Sequence, residues 1–356
     1  MPIPESTYSV LLATIASLLA ILLLRPLAPK LGLLDIPQGR KQHSGAVPLI
    51  GGLAIYLTLL LVLGNHISSD VMLGYYLACA ALIVILGAFD DALDLSVKIR
   101  LAVQLIVGLA MIYSLDLHIN NLGNIFGFGA VELGILGIPF TLIAVIAAIN
   151  AFNMTDGIDG LAGLLSMVSF GSIAVFMLLW GQAEQALLPL VFIAALVPYL
   201  AFNLGWLKNK KIFMGDAGSM LIGLSVIWLL LISTQSETAS FRPVTALWLI
   251  AIPLMDMVAI MLRRILKGQS PFQADREHLH HISLRLGLNS GESLILITAL
   301  ASVFACVGII GEYLLVPEVA MLLLFILVFA VYIGLLQNIW RIISALRHNL
   351  ANRRKS

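Results

Sequence analysis

Charge is what this chain has least of. Asp, Glu, Lys and Arg make up 11% of its 356 residues, while 60% are hydrophobic and the mean hydropathy is +1.04. A soluble globule carries about a quarter charged residues, so that class is excluded. Cysteine is scarcer still. Cys79 and Cys306 lie far apart inside apolar runs, which argues against a disulfide framework or a thiolate metal site and leaves both as core residues. Repeats, low-complexity tracts and linkers are missing as well, so 1–356 reads as one integral membrane domain with a large loop at 263–293 inside it. The net charge of +1 says nothing about partners, because here the distribution of charge matters more than its sum. Membrane lipid is the expected surrounding, and no nucleic-acid partner is expected.

What is abundant is apolar length. A span needs about 20 apolar residues, and the chain divides into about eleven runs. They lie near Tyr8 to Leu27, Leu49 to Leu63, Val71 to Phe89, Ile99 to Leu115, Ile138 to Ala151 and Leu161 to Trp180. The others lie near Leu187 to Leu207, Ser219 to Ser233, Val244 to Leu262, Leu294 to Tyr313 and Val319 to Trp340. The expected fold is therefore an all-α polytopic membrane protein. Its first run lacks a basic leading segment and is too long for a signal peptide, so it reads as a retained anchor. The connection Asp116 to Gly137 is rich in Gly and Asn and alternates weakly, which suits either a short β-hairpin or a plain loop.

Lys and Arg set the orientation. Of the 20, all but Arg242 fall on one set of alternating connections. The positive-inside bias then places the N-terminus in the periplasm and the C-terminus in the cytoplasm. Asp90, Asp91, Asp156, Asp159 and Asp216 all come to the cytoplasmic ends of runs, where five carboxylates mark a site.

Each acidic motif also has a plainer reading. Asp90, Asp91 and Asp94 end the third run, and if the helix continues, Asp90 and Asp94 share a face. With Lys98 and Arg100 following, they suit local ion pairs or, equally, a cation and a phosphorylated substrate. Asn153 to Gly160 places Gly after both Asp156 and Asp159, which lets backbone approach a ligand closely; an Asx-type turn is the alternative. Asp216, between glycines in Phe213 to Ser219, suits an N-cap, a metal ligand or both. In Asp275-Arg276-Glu277-His278-Leu279-His280-His281 zinc is disfavoured, since the segment lacks HExxH and a Cys partner. His278, His280, His281 and Arg276 instead offer donors to phosphate oxygens, with a solvated polar helix as the alternative. Asp256, inside the ninth run, is left open between a structural and a functional role.

Taken in order, Asp90-Asp91, Asn153-x-x-Asp156-Gly-x-Asp159-Gly, Phe213-Met-Gly-Asp216-x-Gly-Ser and the His cluster resemble the polyprenyl-phosphate N-acetylhexosamine-1-phosphate transferase superfamily. The resemblance covers nearly the whole chain, including His43 and Pro48-Leu49-Ile50-Gly51-Gly52. Leu279 interrupts what is an unbroken triple His in the branch that transfers MurNAc-pentapeptide phosphate. The loop resembles the branch acting with GlcNAc-1-phosphate.

That resemblance implies a reaction at the cytoplasmic face of the inner membrane. UDP-GlcNAc and undecaprenyl phosphate would give undecaprenyl-diphospho-GlcNAc and UMP, with Mg²⁺ or Mn²⁺, beginning enterobacterial common antigen and many O antigens. It implies Asp216 as a metal ligand with Asp91 assisting, and Asp90 for activation of the lipid phosphate. Lys98, His280 and His281 would neutralise phosphate oxygens, and Asn153, Asp156 and Asp159 would line the nucleotide end. Phe213 would stack on uracil or serve as a core aromatic. The oligomeric state stays open, with a homodimer among the options. A cation-coupled transporter is the competing class, yet its acids would gather near the midplane between repeated halves. Nothing in the pattern reads the sugar, so GlcNAc is not separated from its C4 epimer.

Overall fold

In lipid a backbone has no partner but itself, so long apolar runs fold as helices. A computed structural model describes residues 5–37, 45–207, 210–270 and 278–353. Among these the helices are α1 Glu5–Leu24, α2 Gly51–Leu63, α3 Val71–Leu93, α4 Val97–Leu115, α5 Gly137–Met154, α6 Leu161–Leu179 and α7 Leu187–Asn203. They continue with α8 Gly215–Gln235, α9 Pro243–Leu249, α10 Ala251–Leu266, α11 Leu279–Arg285, α12 Ser290–Tyr313 and α13 Glu318–Arg353. Among the described residues eight helices are long and apolar enough to span a membrane, and α2 and α7 are shorter apolar helices. The architecture is that of a multi-pass membrane protein.

Helix α8 is the hub. It is apolar nearly all round and almost wholly buried, with α3, α5, α2 and α6 packed against it. Close approach at its start depends on small residues. A Cβ on Gly52 of α2 would lie 2.1 Å from the Gly218 nitrogen, and one on Gly87 of α3 would lie 2.3 Å from Ala217 Cα. Farther along, Tyr76 and Ser225 share a buried 2.7 Å hydrogen bond between α3 and α8.

The ninth run departs from a single span. Helices α9 and α10 meet at 84°. The cause lies in Pro253, which lacks an N–H and whose ring would strike the carbonyl four residues earlier, that of Leu249, where α9 ends. The 116–136 connection carries one isolated antiparallel bridge, Asn121 with Glu132, short of a two-stranded hairpin. Strands β1 (Leu34–Asp35) and β2 (Val47–Pro48) pair antiparallel instead, in the connection before α2. Cys79 is buried as expected, whereas Cys306 is exposed on α12, because a membrane helix can turn an apolar residue outward to lipid.

Candidate active site

The site assembles around the first turn of α8. Four backbone N–H groups at a helix start have no partner in their own helix, and here a carboxylate from another helix supplies one. Asp91 Oδ1 accepts from the Asp216 N–H at 2.9 Å and its Oδ2 from the Ala217 N–H at 3.3 Å. Asp216 is thus not the cap of its own helix; Asp91 caps it from α3. The chain can approach this closely because Gly215 has φ +71 and no Cβ, which would sit 2.5 Å from Asp91 Oδ2.

Asp216 is oriented from α5. Asn153 Nδ2 donates to Asp216 Oδ1 at 2.7 Å and to Ser219 Oγ at 2.9 Å. The carboxylate of Asp90 adjoins that of Asp216. Asp90 itself is buried and committed: Oδ1 accepts from the Leu95 N–H at 2.8 Å and Oδ2 from Arg100 at 2.8 Å. The ion-pair reading of this motif therefore holds for Asp90. Asp94 does not share its helical face, because α3 stops at Leu93 and Asp94 takes φ +52 in the left-handed region. Lys98 stands exposed on the first turn of α4.

The second motif forms the turn between α5 and α6. Gly160 takes φ +79 and begins α6, and its N–H donates to Asn203 Oδ1 at 2.6 Å. Asn203 Nδ2 donates in turn to the Ile212 carbonyl at 2.9 Å, tying this turn to the strand-like segment before α8. Lys211 pairs with Asp159 at 2.5 Å and its Nζ lies 5.1 Å from the centre of the Phe213 ring. Phe213 is half-buried, and its backbone pairs with the first connection: its N–H donates to the Pro48 carbonyl, while its own carbonyl accepts from the Gly51 N–H. Pro48 to Gly52 thus braces the loop that carries Asp216.

The third segment arrives on α11. His278 and His280 are buried, so a solvated polar helix does not describe them; His281 is half-buried. A Cβ on Gly157 would lie 2.1 Å from His280 Nε2, which places that imidazole directly on the Asp156 turn. Burial, then the neighbouring His281 and His278, push His280 down to about 3, so its ring is neutral. Arg276 and His43 lie outside the described residues.

Asp91, Asp156 and Asp216 are close enough for their charges to repel one another. Asp156 is exposed on its turn, yet desolvation by the surrounding protein, then Asp216 and Asp159, push its carboxyl up to about 7. Asp91 and Asp216 are the carboxylates that could hold a cation there. Among the described residues no three His, Cys, Asp or Glu side chains form a ready cage. From sequence Arg100 enters only beside Lys98, Ser219 only as the end of its motif and Asp256 with its role open, while Asn203 does not enter at all. Asn203 and Asp256 carried one usable signal, a polar side chain within an apolar run.

Residues 73–234 match glycosyl transferase family 4. The chain is 46% identical to the undecaprenyl-phosphate alpha-N-acetylglucosaminyl 1-phosphate transferase of Salmonella typhi, covering 94% of this chain and 93% of that protein. The Escherichia coli protein of the same name is 48% identical, covering 89% and 87%. That of Haemophilus influenzae is 42% identical, covering 94% and 95%.

Proposed function

The chain belongs to glycosyl transferase family 4, and from that premise we propose that it transfers GlcNAc-1-phosphate from UDP-GlcNAc to undecaprenyl phosphate. One observation carries the reading. Relatives bearing that name match nearly end to end, over every segment that converges on the start of α8. The chain would act as one membrane domain of eleven spans, counting the bent pair α9 and α10 as one and including α2 and α7. Its acids would face the cytoplasm, where nucleotide sugars are made. The product would begin enterobacterial common antigen or O-antigen chains.

In the proposed step an oxygen of the lipid phosphate attacks the phosphorus that carries GlcNAc. A P–O bond forms, the bond to the bridging oxygen breaks, and UMP leaves with the electron pair. Two anions must meet, so repulsion is the main obstacle. Asp216 and Asp91 would hold Mg²⁺ or Mn²⁺, which when bound neutralises charge on the phosphate oxygens. Asp216 keeps one carboxylate oxygen pointed by Asn153, a support for metal binding that a free side chain lacks.

Asp90 supports a single displacement. Both its oxygens already accept hydrogen bonds and it is buried, so attack on phosphorus would first cost the Arg100 ion pair. A phosphate monoester with a second pKa near 6 is largely dianionic at pH 7, so a strong base is not required. Asp90 then steers the acceptor through Arg100, and Lys98 adds positive charge at the same helix end. On the nucleotide side, Asp156, Asp159, Phe213 and the histidines would bind UDP-GlcNAc, with Asn153 contributing through Asp216.

Purified protein given undecaprenyl phosphate, Mg²⁺ and labelled UDP-GlcNAc should form a butanol-extractable GlcNAc lipid and release UMP. Release of UDP would mean that sugar alone had moved and would reject the reading. A phosphorylated enzyme trapped with UDP-GlcNAc but no lipid would reject single displacement.

A further inference from the structure

Asp256 is a buried carboxylate that the proposed transfer does not use. It sits on α10, just past the bend, and three groups converge on it. Its Oδ2 is 2.9 Å from His278 Nδ1, while its Oδ1 accepts from the Leu279 N–H at 3.0 Å and from the Tyr332 hydroxyl at 2.7 Å. The carboxylate therefore holds the entry to α11 against α10 and α13. An ionised Asp256 requires a proton on His278 Nδ1, since a carboxylate can only accept there.

The consequence passes along the ring stack. His278 lies parallel to His280, with ring centres 5.6 Å apart and planes inclined by 5°. His280 is 3% exposed, and its Nε2 has no hydrogen-bond partner where it abuts Gly157, beside Asp156. A buried nitrogen left without a partner is costly unless something arrives to use it. We infer that Asp256 is a positioning residue: acting through His278, it sets His280 against the Asp156 turn so that the imidazole meets the nucleotide-sugar end of the substrate. This deepens the proposed reaction and rests on it.

A carboxylate that orients a metal-bound histidine typically matters tenfold to a hundredfold, which sets the scale expected of Asp256 on His278. Replacing Asp256 by Asn keeps an acceptor for Leu279 and Tyr332 but turns an amide donor toward His278, which drives the proton to Nε2. Asp256→Asn should raise the KM for UDP-GlcNAc about tenfold and leave the KM for undecaprenyl phosphate unchanged. A merely structural role would lower the amount of folded enzyme and move neither KM. Because the effect runs through His278, Asp256→Asn with His278→Ala should be no worse than His278→Ala alone. Tyr332→Phe removes a donor to Asp256 without touching His278 and should keep a wild-type KM.

A wild-type KM in Asp256→Asn, or losses that multiply in the double variant, would overturn the inference. Selective ¹⁵N-histidine NMR of the protein in detergent reads it without turnover. The His278 proton should sit on Nδ1 in the wild type and on Nε2 in Asp256→Asn, and an unchanged signal would also overturn it. Failure of the wild type to make the GlcNAc lipid would count against the reaction, leaving the NMR result to judge Asp256.

Discussion

Single atoms decide much of this site. Asp216 has one oxygen held by Asn153 and a neighbour in Asp90, so its charge is oriented but poorly compensated. Asn at 216 can still accept from Asn153 and relieves repulsion among the acids. Asp216→Asn should therefore melt no lower than wild type without divalent cation, yet lose at least about a hundredfold in UMP release. Full turnover would remove Asp216 from the proposed cation site. Gly157 poses the opposite test, one of space. A methyl at 157 would reach within 2.1 Å of His280 Nε2, and the His278 and His281 rings that crowd His280 limit its retreat. Gly157→Ala should cost about 1–3 kcal/mol by overpacking and raise the KM for UDP-GlcNAc. Wild-type kinetics and melting would show that His280 does not rest on this turn in the working protein.

At the scale of elements, the start of α8 is placed by what α3 does not have. Gly87 and Asp91 are four residues apart on one face of α3, so the glycine permits the approach and the carboxylate one turn later caps α8. Gly87→Ala would set a methyl 2.3 Å from backbone that has no rotamer to yield. The two helices must part, and the loss should be about 1–3 kcal/mol together with most activity. Leu82→Ala, on the outward side of the same helix, should change turnover little. Equal activity in both variants would uncouple helix spacing from the site. These pairings also show what a sequence can reveal here. Asp90, Asp91 and Asp216 announced themselves as charges at the ends of apolar runs, because lipid makes such charges rare. Arg100, ten residues on, is legible as a partner of Asp90, but Asn153 reaching Asp216, Asn203 joining Gly160 to Ile212, and His278 reaching Asp256 are not, because they are contacts across the fold. Periodicity reads neighbours along one helix and is blind to those between helices. The bend at α10 was nearer to hand, because Pro253 forbids the Leu249 hydrogen bond by local chemistry alone.

For the whole molecule the decisive property is which way the assembled site faces. The proposed reaction requires the acids on the cytoplasmic side, and the Lys and Arg asymmetry points there, with Arg242 the exception paired to Glu312. That exception is instructive, since a cation neutralised by a buried carboxylate carries little topogenic weight against a one-sided excess of its kind. The test uses the chain's poverty in cysteine. Cys79 is buried and Cys306 exposed, so a Cys306→Ala background should react little with maleimide. Into it go Phe128→Cys, in the connection before α5, and Leu286→Cys, just after α11; the native side chains are 97% and 45% exposed. A membrane-impermeant maleimide should label Phe128→Cys in cells whose inner membrane is sealed, and Leu286→Cys only after that membrane is opened. The reverse pattern would put the start of α8 on the side where no nucleotide sugar is supplied, and the transferase reading could not stand whatever its motifs.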